Sequence, residues 1–269
     1  MNAFSNKFSA PAPSVVHLVT LFRQISNGEI KIPAFQRKYV WNEKQVLSLL
    51  SSVYEGYPIG SLLFWKVDKK VFDIALPSVS AFPDLVEKYP LNYVLDGMQR
   101  LTTLFGVFNH QNGITDKILN VGFDLKENRF CLLTNTSSHV KYIVPLSSLF
   151  SPKRLLEFQS GLASQPDGDN LINAVLNLQA AFQEYMIPTV TIQSDDIKRV
   201  VGIFERVNST GTRLSSVDFM RAITWSTSFD LSSRLAQIAD EISEFGWNLK
   251  SDTIVKCAAI ALGTSVDSE

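Results

Sequence analysis

Asp96, Gly97, Met98, Gln99 and Arg100 put a carboxylate, an unhindered turn residue, a carboxamide and a guanidinium next to one another in the chain. They lie where the apolar run Tyr93-Val94-Leu95 gives way to the helical spacing of Leu101, Leu104, Phe105 and Phe108. Backbone N–H groups at a helix start have no intrahelical partner and the helix dipole adds positive charge there, so the junction suits an anion such as phosphate. Gly97 lets the backbone turn and approach a ligand closely, and Arg100 can fork onto phosphate oxygens while Gln99 donates hydrogen bonds. Asp96 either holds a Mg²⁺ ion or orients a water. The alternative is that Asp96 and Arg100 pair with each other and do no more than fix the strand-helix junction.

Two further polar stretches could serve such a site. From Gln36 to Trp41 the basic residues Arg37 and Lys38 interleave with Phe35, Tyr39 and Trp41 on irregular backbone, and four basic residues face one acidic between Lys31 and Lys44. Aromatic and basic side chains on one loop stack on bases and hold phosphates, so Arg37, Lys38, Tyr39 and Trp41 are candidate DNA contacts; alternatively the aromatics plug the core and the charges are solvated. The second stretch, Arg206 to Leu214, is rich in Asn, Ser and Thr around one Gly. It is either a turn between helices or a source of polar ligands, Asn208 and Thr210.

The chain has 269 residues, 45% of them hydrophobic and 19% charged, with a net charge of −1. That composition describes a globular protein and removes any global electrostatic argument for nucleic-acid binding, leaving only a local basic patch. Two cysteines, Cys131 and Cys257, lie in apolar surroundings and are expected to be buried free thiols of a reducing cytoplasm. His17, His110 and His139 show no metal-ligand spacing. The first residues lack the apolar run of a signal peptide, and no apolar stretch is long enough to span a membrane, so the expected location is cytoplasmic.

The elements that must position these groups follow from local pattern. Residues 1–13 read as a flexible arm. Ser14 looks like the N-cap of a helix carrying Val15, Leu18, Val19, Phe22 and Ile25, ended by Gly28. Asn42 caps a second helix, with Gln45 completing a capping box and Trp41 placed to staple onto Val46. Ser61 to Val67 is a continuous apolar run that reads as a buried strand, and residues 68–90 read as an exposed excursion. On the helix after Gly97, Met98, Leu101 and Phe105 form the packing face, and Gln99, Arg100 and Thr103 face elsewhere. A hairpin is expected over 118–134, a helix over 170–186, a strand over 188–193 and a helix bearing Ile197, Val200, Val201, Phe204 and Val207. Helical periodicity continues from Phe229 to the end.

Four segments in order, IPAFQRKYVW at 32–41, GYPIGSLLFW at 56–65, YVLDGMQRLTTL at 93–104 and FERVNSTGTRLSSVDFMRA at 204–222, closely resemble the DUF262 family, the amino-terminal domain of GmrSD-type, modification-dependent restriction proteins. Asp96, Gly97, Gln99 and Arg100 match its Asp-Gly-Gln-Gln-Arg signature, with Met98 in place of the first glutamine, and Gln36 and Arg37 match its Phe-Gln-Arg segment. The resemblance implies an α+β class with a ParB/sulfiredoxin-like mixed sheet core, surrounding helices and a helical C-terminal part. It spans residues 14–225, leaving 226–269 as a helical extension.

It further implies a nucleotide-binding, NTP-hydrolysing sensor of a restriction or phage-defence system, with ATP, GTP or another NTP as ligand and Mg²⁺ as its companion. Asp96, Gln99 and Arg100 would carry the catalysis, and Gln36, Arg37, Gly97, Arg100, Thr103, Asn208 and Thr210 would hold the nucleotide. DNA, modified in some cases, is the implied partner. Cleavage is expected from an HNH-type nuclease domain or subunit and not from this chain, whose histidines do not fit that site. The alternative is a non-catalytic DNA-binding or protein-interaction module that controls a separate nuclease.

Overall fold

The computed structural model describes residues 11–33, 36, 39–69, 81–110, 117–133, 140–194, 196–208, 220 and 230–263. Two compact units divide the chain: one made of Met1–Ile32, Lys38–Asp68 and Ser78–Ser194, the other of Pro33–Arg37, Lys69–Pro77 and Asp195–Glu269.

The first unit is mixed α+β. Its main sheet has five strands: β1 (Ala12–His17), β2 (Ile30–Lys31), β3 (Leu62–Val67), β4 (Leu91–Asp96) and β8 (Met186–Gln193), in the spatial order β1-β8-β3-β4-β2. β3 runs parallel to β8 and antiparallel to β4. Flanked on both sides, it buries Leu62, Leu63, Phe64 and Trp65, as its unbroken apolar run requires. Where β3 meets β4, Leu63 faces Asp96 and Phe64 faces Val94, so Leu95 is an extra residue in β4. Such a bulge re-aims the strand end, here the end that carries Asp96.

The segment from Ser14 departs from the helix expected there. Residues 12–17 form β1, which pairs antiparallel with β8, and the helix α1 begins only at Leu18 and runs to Ser26. Val15 is 61% exposed, so it does not belong to the apolar stripe its spacing suggested. β-branched Val15 and Val16 suit a strand, and Pro13 is tolerated because β1 is an edge.

The helix α2 (Glu43–Tyr54) starts as expected. The Asn42 side chain accepts from Gln45 N–H at 3.1 Å, and the Gln45 side chain accepts from Asn42 N–H at 3.0 Å. It ends with Gly56 N–H on Val53 O and Tyr57 N–H on Ser52 O, a Schellman pair that turns the chain into the 57–61 loop.

The helix α3 (Met98–Phe108) is buried around its whole circumference, Arg100 being its one residue outside the buried set. Phe105 and Phe108 pack on Phe22 of α1, and Phe108 meets Phe182 of α5 (Gly168–Glu184) at 4.8 Å between ring centres. Leu119 approaches Gly106 so closely that a Cβ there would lie 2.6 Å from it. The expected division into one packing and one polar face therefore does not hold. Gln99 and Thr103 are enclosed as fully as Met98, which joins the core as expected.

A second, antiparallel sheet places β5 (Val121–Asp124) between β6 (Arg129–Leu132) and β7 (Ile143–Pro145). The β5–β6 hairpin was legible in the sequence; its third strand was not. The helix α4 (Pro152–Ala163) follows and packs on α5. The excursion expected to be exposed is tied down where it is described. Buried Lys31 donates to Leu85 O at 2.6 Å, Tyr93 OH donates to Glu87 at 3.3 Å, and Tyr89 OH also bonds Glu87.

The second unit contains α6 (Ile197–Asn208), α7 (Leu231–Ser243) and α8 (Ser251–Ala261). Leu235 and Ile254 centre a small core with Leu231, Ile238, Leu249 and Val255. Both cysteines are free, but they are not both buried: Cys257 is exposed and Cys131 half-buried, since the α8 stripe covers Ile254 and leaves Cys257 and Ile260 outside.

Candidate functional site at the start of α3

β4 passes into α3 through Gly97, whose φ of +87° is a left-handed conformation that disfavours any side chain. Space excludes one as well, because a Cβ at Gly97 would lie 2.3 Å from the Leu62 side chain and 3.0 Å from Arg100 Nη2. No side chain caps the helix, and an uncapped helix start carries the partial positive charge that favours an anion.

Arg100, three residues on, reaches back to the 57–61 loop. Nη1 donates to Ile59 O, and Nη2 donates to Ser61 O at 2.9 Å and to Asp96 Oδ2 at 3.2 Å. The Asp96–Arg100 pair is real, its side chains 38% and 18% exposed, yet it is only one of three contacts. The two carbonyls bind the guanidinium as a clamp on a loop some forty residues away. Gly60 closes this clamp: at φ +84°, its Cβ would sit 2.6 Å from Arg100 Nη1.

Gln99 performs the matching task on the other side. Its Oε1 accepts from Val40 N–H at 3.0 Å. Thr103 Oγ1 donates to Gln99 O at 2.8 Å, which leaves Tyr39 OH to donate to Thr103 at 2.9 Å. One helical turn thus holds two separate segments, 39–41 through Gln99 and Thr103 and 59–61 through Arg100. Between those segments and α2 lies a cleft of about 500 Å³, its described lining including Trp41, Lys44, Gln45, Ser48, Pro58 and Ile59.

Tyr185, at the entrance to β8, belongs to the same neighbourhood. Its OH donates to Tyr57 O at 2.7 Å, and burial pushes its pKa up while the Ile59 backbone and the Arg100 charge pull it down. Sequence reasoning did not single out Tyr185, for nothing near it in the chain signals a site. The 57–61 loop did carry a signal, the Gly-Tyr-Pro-Ile-Gly segment, but its contact with Arg100 is a tertiary fact.

The sequence-derived candidates thus divide. Asp96, Gly97, Gln99, Arg100 and Thr103 form one connected set, joined by Tyr39 and, along the cleft, Trp41. Gln36 is described, with its N–H on Pro33 O, and belongs to the second unit. Asn208 ends α6. Arg37, Lys38 and Thr210 lie outside the described residues. Among the described residues no three or more His, Cys, Asp or Glu side chains group as metal ligands. No described helix is long and apolar enough to cross a membrane.

The fold is thus a mixed-sheet α+β domain with an uncapped helix start behind a Gly turn, where a first-turn Gln and Arg hold two loops beside a cleft. The family itself follows from comparison: residues 18–225 match the GmrSD restriction endonuclease, N-terminal domain, and the chain belongs to that family. It is also similar to an uncharacterized protein of Methanocaldococcus jannaschii, 22% identical over 271 aligned positions that take in 85% of this chain and 46% of that protein. The chain therefore spans about half the length of the curated relative it matches. Membership ties it to restriction systems.

Proposed function

We propose that the first unit is a nucleotide-binding, NTP-hydrolysing sensor that regulates a DNA restriction or phage-defence nuclease. The observation that carries this reading is that Gln99 and Arg100, at an anion-favouring helix start, hold Val40, the neighbour of the cleft residue Trp41, and Ile59, which itself lines the cleft. A ligand that engages this turn bears on both segments at once. Trp41 offers a planar apolar surface for a base and Lys44 a cation for phosphate. Of the five N–H groups of a guanidinium, Arg100 commits three to the clamp and Asp96, which leaves two for phosphate oxygens.

Among the described residues Asp96 Oδ1 has no partner, and the side chain is partly exposed, so it fits Mg²⁺, which is usually bound by one or two carboxylates together with phosphate oxygens and water. The ion would neutralise charge developing on the transferred phosphoryl group. Gly97 permits the approach, and Thr103 acts by holding Tyr39. Within the first unit, Lys38, Tyr39 and Trp41 are proposed to meet DNA. Cleavage is assigned to a nuclease domain or subunit acting with this one.

Titration of labelled ATP and GTP with Mg²⁺ tests this reading. Lys44→Ala, an exposed position, and Arg100→Lys should each weaken binding about tenfold, the value of one charge-assisted contact of ~1.5 kcal/mol. Hydrolysis should respond to modified DNA in the wild type. Equal affinity of all three proteins would refute the site. A second reading is favoured by Trp41 and Lys44 side by side on the cleft: a base of DNA, not a free nucleotide, enters it. Affinity for DNA that falls steeply with salt, without NTP binding, would select that reading.

A further inference from the structure

A second cleft, of about 680 Å³, opens on another part of the first unit, where the residue before β5, the end of β7 with Ser147 and Ser148, and the first two turns of α4 meet. We propose that it binds a small organic phosphate, with the phosphate on Arg154, Ser147 and His110 and the apolar part against Phe158.

Donors without partners dominate its lining. Among the described residues, no side chain pairs with the Arg154 guanidinium, the Ser147 hydroxyl or the Asn120 amide, and no carboxylate lines the cleft. Arg154 stands in the first turn of α4 beside Lys153, with no acidic residue in that turn and no side-chain cap from Ser151. Cations at the positive end of a helix dipole reverse the usual bias and repel one another, which an anion would relieve.

His110 is the independent observation. It is only 8% exposed, lines the cleft, and among the described residues neither ring nitrogen has a partner. Nδ1 is sealed from solvent, so Nε2 is the nitrogen that opens to the cleft. A buried orphan N–H is rarer than an orphan acceptor, which assigns the proton to Nε2. Burial lowers the His110 pKa, so at neutral pH the ring is an uncharged donor. Guanidinium, hydroxyl, carboxamide and imidazole N–H line one cleft from four separate segments of the chain. That number and spread suit the several acceptor oxygens of a phosphate better than the two coplanar oxygens of a carboxylate. Phe158, Leu133 and Pro145 supply the apolar remainder.

Ring ¹⁵N NMR of the full chain, labelled at histidine, tests the site with inorganic phosphate, phenyl phosphate and benzoate as probes. Phenyl phosphate should shift the His110 signals saturably, with affinity about tenfold above inorganic phosphate. Arg154→Gln, at an exposed position, should weaken it about tenfold while leaving the Nε2–H tautomer intact, and Arg100→Lys should leave the titration unchanged. The proposal is overturned if no probe gives a saturable shift through the millimolar range, if benzoate binds as tightly as phenyl phosphate, or if Arg154→Gln behaves as the wild type. Because the readout is at His110, failure here is separate from any failure of nucleotide binding at α3.

Discussion

Gly60→Ala perturbs the clamp while leaving Arg100 itself unsubstituted. Two terms set its magnitude. At φ +84° an alanine adopts the left-handed conformation at a cost of ~1–2 kcal/mol. Its Cβ would also lie 2.6 Å from Arg100 Nη1, the atom that donates to Ile59 O. The guanidinium is held on its other side by Ser61 O and Asp96, so it yields by giving up the Ile59 bond, worth ~1.5–3 kcal/mol for a charged donor. The sum is about 2.5–5 kcal/mol. Gly56→Ala is the matched control: φ is +74°, and a Cβ there meets nothing within 4 Å, so only the conformational cost of ~1–2 kcal/mol applies. Urea unfolding, followed by the fluorescence of buried Trp65, gives both values. In an Arg100→Ala background the excess cost of Gly60→Ala should vanish, which makes the comparison a double-mutant cycle. If Gly60→Ala and Gly56→Ala cost the same within ~0.5 kcal/mol, or if the excess survives the loss of Arg100, the clamp reasoning is wrong.

The Gln99 contact and the alkaline limb give two further predictions. Gln99→Leu leaves the Val40 N–H without its acceptor and should destabilise by about 1–3 kcal/mol, with weaker ligand binding in the Trp41 cleft; hydrogen exchange at Val40 as slow as in the wild type would refute it. Tyr93 is enclosed beside Glu87, and burial followed by that carboxylate raises its pKa well above the ordinary tyrosine value. The native state then holds the proton more tightly than the unfolded chain, so this contribution is complete below about pH 10 and is lost as pH rises beyond it. Tyr93→Phe should flatten the fall in stability above about pH 10, and an unchanged alkaline limb would exclude Tyr93 as its source.

What the sequence by itself determined lies within a few residues of each signal. The Asn42–Gln45 capping box, the β5–β6 hairpin, the buried run of β3 and the turn at Gly97 are each set by chemistry between near neighbours, and they appear where the pattern puts them. The family, too, was legible, because its four motifs stand in order along the chain. Tertiary structure decided what depends on distant partners. A stretch with helical spacing became β1 because β8, about 170 residues away, offers an open edge, and pairing outweighs a weak local preference. α3 lost its polar face because α1, α5 and the Leu119 turn enclose it, so Gln99 and Thr103 spend their hydrogen bonds on Val40 and Tyr39. Arg100, expected to meet a phosphate, holds Ile59 and Ser61 in the structure, which no local pattern could announce. The His110 cleft is of the same kind, for its donors come from four separate segments of the chain that share only their place in the fold.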